Sequence, residues 1–132
     1  MKKLFVTFFG TLILATSAYS MGGDKPGPNG GYITMPSAYH VELVPKDSAF
    51  LIYLHDINFK NAITSNSSAS IIFIPKNQKS VTIKMKCIAD KQFFSCKIPN
   101  DKIDNYKEIQ VESKRKNIFG KNSIYKLPLK FE

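Results

Sequence analysis

Tryptophan is absent from the 132 residues, cysteine and histidine occur twice each, and ten acidic residues face nineteen lysines and arginines. So few histidines and cysteines exclude the dense ligand motifs of structural metal sites, and neither Cys-x-x-Cys nor His-x-x-x-His occurs. No serine sits in a Gly-x-Ser-x-Gly elbow. Glu42 and Asp56, the acids inside the N-terminal strand candidates, alternate to different faces, which excludes a glycosidase-type carboxylate pair. Sustained helical periodicity is missing, and beyond residue 20 no apolar run is long enough to cross a membrane. These absences leave a small non-enzymatic β-protein as the expectation.

The first twenty residues read as a secretion signal: Lys2 and Lys3, an apolar run from Leu4 to Ala15, and the small residues Ala18 and Ser20 around a cleavage point expected after Ser20. The mature protein is then expected in the periplasm or outside the cell, with no transmembrane segment. Residues 21–30 form a Gly/Pro-rich leader, expected to be flexible unless docked on a sheet edge, and residues 31–132 form one domain. In an oxidising compartment Cys87 and Cys96 are expected to pair, giving a small core a covalent staple.

Removal of Lys2 and Lys3 with the signal takes the formal charge from +9 to +7, and the remainder is asymmetric. Residues 21–70 carry a net −1 and residues 71–132 a net +8. Such a basic half suits a polyanion of the cell envelope. Nucleic acid is not the expected partner, because Lys114-Arg115-Lys116 has no interleaved aromatics and the chain is exported. The positive charge also argues against inhibition of a basic lysozyme.

Short alternating runs bounded by Pro, Gly, Asn, Asp and Ser predict strands at 31–35, 39–45, 50–57, 69–74, 81–88, 93–98, 108–113 and 123–131. A helical turn is expected within 103–107. The fold class is a single Ig-like antiparallel β-sandwich of seven to eight strands with one hairpin disulfide. Facing residue numbers in an antiparallel pair sum to a constant, so hairpin registers can be written down. Cys87 opposite Cys96 sets Met85 against Ile98 and Lys86 against Lys97, with Lys84 diagonal, making these lysines a candidate anion site. A turn at Asn77-Gln78 sets Ile74 against Val81 and Ile72 against Ile83. A turn at Lys46-Asp47-Ser48-Ala49 sets Leu43 against Ile52, Val41 against Leu54, Glu42 against Tyr53 and His40 against His55.

The last alignment puts both histidines side by side on the solvated face of a hairpin, with Glu42 two residues from His40. Imidazole suits copper, zinc, nickel and iron, and the thioether of Met35 adds a soft ligand if the leader folds back; Met21 at the mature terminus is a further thioether. The candidate metal ligands are therefore His40, His55, Glu42 and Met35, with copper favoured and zinc second. The same two histidines are also accounted for, without any ligand, as polar groups on a solvated strand face.

The run "GPNGGYITMPSAYHVELVP" followed by "YLHDINFK" resembles a pattern of small exported bacterial β-sandwich domains: a Gly-Pro-x-Gly-Gly leader, a strand with His-x-Glu-Leu and a second ending Tyr-Leu-x-Asp. The resemblance is to periplasmic proteins associated with copper and heavy metals, loosely the CopC and FixH groups, and covers about residues 27–60. It picks out Gly27, Pro28, Gly30, Gly31, His40, Glu42 and Asp56. Related leaders often read Pro-His-Gly-Gly, and Asn29 takes the histidine's place here. The resemblance implies an Ig-like domain that binds or hands on a transition metal. The alternative reading is an interaction module whose sheet edges or basic half take a protein partner or an envelope polyanion.

Overall fold

Alternating apolar residues on short strands can only be buried by stacking two sheets, and that is what the chain does. The structure is a computed structural model that describes residues 20–21, 25–99 and 103–131. Of the expected signal segment 1–20, residues 1–19 lie outside the described residues. The strands are β1 (Ser20–Met21), β2 (Tyr32–Ser37), β3 (Tyr39–Lys46), β4 (Ala49–His55), β5 (Ser68–Pro75), β6 (Ile83–Lys86), β7 (Ile88–Ala89), β8 (Phe94–Lys97), β9 (Tyr106–Arg115), β10 (Ile118–Phe119) and β11 (Ser123–Lys126). A 3-10 turn at Ile103–Asn105 precedes β9. One sheet runs β1-β11-β9-β5-β6, with β10 attached to β9, and the other runs β2-β3-β4-β8-β7. All pairings are antiparallel except that of β1 with β11. The protein is an all-β sandwich.

The core lies between the sheets, where Val41, Leu43, Ile52 and Leu54 from one meet Ile71, Phe73, Ile109 and Val111 from the other. Hydroxyl groups within this layer find partners across it, as burial requires. The Tyr39 hydroxyl bonds Ser113 Oγ at 2.7 Å, and Thr34 Oγ1 donates to Ser123 Oγ at 2.6 Å. Burial pushes the Tyr39 phenol up, only partly offset by Ser113.

The β3–β4 hairpin has the expected register in full: His40 opposes His55, Val41 opposes Leu54, Glu42 opposes Tyr53 and Leu43 opposes Ile52. Two other registers require correction. In β5–β6, Ile72 faces Lys84 and Phe73 faces Ile83, a one-residue slip from the expected pairing. A slip of one reverses the faces of a strand, so Ile71 and Phe73 of β5 fill the core while Ile72 and Ile74 stand on the outer side. The turn between these strands is longer than a two-residue hairpin, with Asn77 Oδ1 and its carbonyl capping Lys79 and Ser80.

The second correction concerns Cys87. Its alignment with Cys96 extends through Ile88 opposite Ser95 and Ala89 opposite Phe94, but not backwards to Met85 and Ile98. At Cys87 the chain leaves one sheet for the other: β6 pairs with β5, and β7 pairs with β8. The Cys87 amide still donates to Ala69 O of β5 at 2.9 Å, while its sulfur is bonded to Cys96 of β8. The disulfide thus ties the two sheets together. The sheet switch also dissolves the lysine cluster: Lys86 opposes Ser70, Lys84 opposes Ile72 and pairs with Glu112 at 3.1 Å, and Lys97 opposes Ala49 in the other sheet.

The buried disulfide closes a loop of sequence separation nine. A double Cys87→Ala/Cys96→Ala variant is therefore expected to lose roughly 2.5–3 kcal/mol and about 10 °C in Tm. Thermal denaturation followed by circular dichroism checks this, and an unchanged Tm would remove the disulfide from the account of stability.

Candidate functional site

The opening run Gly27-Pro28-Asn29-Gly30-Gly31 becomes a tight loop over the outer face of β3. Pro28 fixes the second position of a turn in which Gly30 N–H donates to Gly27 O at 2.9 Å. Gly30 follows at φ +77°, a conformation other residues adopt at a cost. Gly31 lies so close to β3 that a Cβ there would sit 2.5 Å from Leu43 O. A Gly27 N–H to Gly31 O bond of 2.9 Å closes the loop.

What this loop grips is the Glu42 side chain. Asn29 donates its backbone N–H to Oε2 at 2.8 Å and its Nδ2 to Oε1 at 2.9 Å, and Gly31 N–H donates to Oε2 at 2.8 Å. His55 Nε2 completes the set 2.8 Å from Oε1. The carboxylate is completely buried and His55 is 4% exposed. Burial alone raises the carboxyl pKa, but the bonds from His55, Asn29 and Gly31 outweigh it and hold the group below its ordinary 4.5. An ionised carboxylate only accepts hydrogen bonds, so His55 Nε2 carries the proton of that bond.

The face expected to be wet is therefore covered. Its alternation places His40, Glu42, Tyr53 and His55 outward as the register requires, but the glycine loop lies over Glu42 and the loop after β4 lies over the histidines. Asp56 starts that second loop by accepting Asn58 N–H at 3.0 Å, Lys60 N–H at 2.9 Å and Asn61 Nδ2 at 3.2 Å. Those donors, Lys60 N–H foremost, hold the Asp56 carboxyl below its ordinary value. The turn drives Phe59 to φ +60° and lays its ring on His40, centroids 4.0 Å apart, and against His55 at 5.6 Å. Tyr53 stacks parallel to His55 at 5.8 Å, and burial together with the Glu42 charge pushes its phenol up.

His40 and His55 each keep one buried nitrogen, Nδ1, with no hydrogen-bond partner among the described residues. Burial holds the His40 imidazole below its ordinary 6.5, opposed by a backbone hydrogen bond at Asp56. Met35 follows Thr34, which opposes Val41, and lies within the Thr34–Ser37 interval where the β2–β3 register shifts. Met35 is about half exposed. Glu42, one of the expected ligands, has both oxygens engaged by four donors, His55 Nε2 among them. Among the described residues no group of three or more His, Cys, Asp or Glu side chains is arranged to hold a metal ion. The expected anion-binding lysines, Lys84, Lys86 and Lys97, lie on two sheets and take no part.

Three participants escaped sequence reasoning. Asn29 supplies two of the four bonds to Glu42. Phe59 is positioned by a turn of positive φ. Arg115 is not a solvated member of a basic run: it is buried, donating Nε to Leu54 O at 3.1 Å and a guanidinium nitrogen to Asn61 O at 2.6 Å. The legible signal for the first was a lone glutamate inside an apolar strand downstream of a glycine-rich loop. Compared with protein-family models, with curated proteins and with solved structures, the chain matches none.

Glu42→Gln keeps the volume but turns an amide N–H₂ toward hydrogen-bond donors, and is expected to cost about 3 kcal/mol at neutral pH. Because the folded carboxyl pKa is depressed, its stabilisation is fully present above 4.5 and is lost as pH falls through the lower folded value. The gap between wild type and Glu42→Gln therefore narrows on acidification. Urea denaturation of both proteins at neutral and acid pH checks this; equal stability at neutral pH would contradict it.

Proposed function

We propose that this chain is a non-enzymatic exported protein that holds one transition-metal ion, copper favoured over zinc, at the His40–His55 pair. The observation that carries the reading is a pair of buried, unpartnered imidazole nitrogens on directly opposed residues of adjacent strands. Unsatisfied buried polar atoms are uncommon, and two on neighbouring rings call for a shared explanation. Glu42 and His55 repeat a known division of labour in metal sites, in which a carboxylate fixes one ring nitrogen and leaves the other to the ion. Met35, an exposed residue of the adjacent strand β2, is the third donor of this reading, and a thioether with imidazoles selects Cu(I) over harder ions. The resemblance of residues 27–60 to copper-associated periplasmic domains points the same way, as does the signal-like leader.

His40 bears on pH as well. Its depressed pKa keeps the ring neutral below the usual histidine range, so proton competition for the ion sets in only at more acid pH than for an exposed histidine.

The test is a competition titration of the purified protein with Cu(I), Cu(II) and Zn(II), beside His40→Gln. That variant leaves the Glu42–His55 bond intact, and its fold is checked by the Tm. A single equivalent of Cu(I), held more tightly than Zn(II) and lost in His40→Gln, is the expected result. Equal copper affinity in wild type and variant would overturn the assignment.

A further inference from the structure

The strand directions gather one end of the sandwich from several segments: β2, β4 and β9 end there, and β3, β5, β10 and β11 begin there. Seven large hydrophobic side chains are exposed among the described residues, and Met35, Ile57, Ile118 and Phe119 lie at this end. Phe119 is the barest of the four, 76% exposed on a two-residue strand that pairs with β9. Water-facing phenylalanine held on a strand is an expense the fold does not need, since β10 contributes nothing buried to the core.

Cations surround these side chains. Phe119 opposes Lys114, whose Nζ lies 5.6 Å from the centre of the ring, and Lys116 makes the intervening turn at φ +56°. Lys60 and Lys121 are exposed at the same end, and the Lys121 amide is bonded to Pro36 O at 3.1 Å, fixing the chain there. Among the described residues, Asp56 accepts three bonds from its own loop and Glu112 pairs with Lys84. Arg115, buried beneath the turn, anchors β9 to Leu54 and Asn61, so the tip stands on a rigid platform. The basic run of the sequence is thus split: Arg115 points in, Lys114 lies over the Phe119 ring and Lys116 is exposed in the adjoining turn.

We propose that this end of the sandwich docks on an anionic phospholipid surface, with Phe119 and Ile118 entering the headgroup layer and Lys60, Lys114, Lys116 and Lys121 meeting the phosphates. An aromatic wedge ringed by lysines combines the apolar and the electrostatic halves of interfacial binding. Charge complementarity selects this occupant over a second copy of the chain, whose corresponding end is equally positive. The inference stands apart from the metal reading, since it uses neither histidine.

The test is co-sedimentation of the protein, expressed from its full chain and purified, with phosphatidylcholine vesicles that contain or lack phosphatidylglycerol. Three variants accompany it: Phe119→Ser, Lys114→Gln/Lys116→Gln/Lys121→Gln at the tip, and Lys76→Gln/Lys79→Gln/Lys107→Gln at the opposite end. The expected result is binding to the anionic vesicles that weakens with salt, falls at least about tenfold in the tip triple, falls several-fold in Phe119→Ser, and changes less than about twofold in the remote triple. Absence of binding, equal binding to neutral vesicles, or equal losses in the two triples would overturn the proposal. Circular dichroism of each variant establishes that the fold is retained.

Discussion

A carboxylate taken wholly out of water must recover its hydration from the protein, and Glu42 does so with four donors drawn from three places in the chain. That requirement organises the N-terminal half. The leader must bend back with its amides pointing at β3, which is why Gly30 adopts positive φ and why Gly31 can carry no side chain. β3 and β4 must be in the one register that brings His55 diagonal to Glu42. The protonated nitrogen of His55 is decided by the same group, and with it the identity of the nitrogen left over. An arrangement that reads as punctuation in the sequence is thereby a clamp, joining a loop, two strands and an imidazole through one side chain.

The clamp and the disulfide divide the molecule between them. Glu42 fastens the outer face of one sheet to the leader, while Cys87 marks the point where the chain changes sheets and is bonded across to β8. Between them the Tyr39–Ser113 and Thr34–Ser123 bonds satisfy the polar groups of the inner layer. The two histidines sit at the edge of this frame, under Phe59, in a position that is geometrically fixed without being fully satisfied.

The β-sandwich class and the β3–β4 register were legible because their causes are local: strict alternation on both arms and a tight turn at Asp47, which holds φ +56°. The β5–β6 register was not, since both faces of β5 carry isoleucine and pattern alone cannot choose between Ile71 and Ile72. The sheet switch at Cys87 was hidden for a related reason: a strand that leaves its partner keeps the same alternation throughout. The lysine cluster inferred from an uninterrupted hairpin fell with it.

At the site, the residues that oppose one another across a hairpin could be read from numbering, and His40, His55 and Glu42 were. What covers them could not. Burial of Glu42 depends on a leader that folds back over eleven to thirteen residues of chain, and Phe59 reaches His40 only because Asp56 bends the loop. Glu42, expected on open surface, is instead buried and bonded to His55. Arg115 shows the same limit in reverse: adjacent lysines gave no sign that it alone turns inward.

Amide hydrogen exchange at neutral pH, read residue by residue, addresses the clamp most directly. With Asn29 and Gly31 N–H locked to a buried anion, both should exchange on the order of a thousandfold or more below the rate of an open loop, in step with the β3 amides. Exchange of these two amides at open-loop rates while β3 stays protected would mean that Glu42 does not hold the leader, and the position of His55 would need another cause.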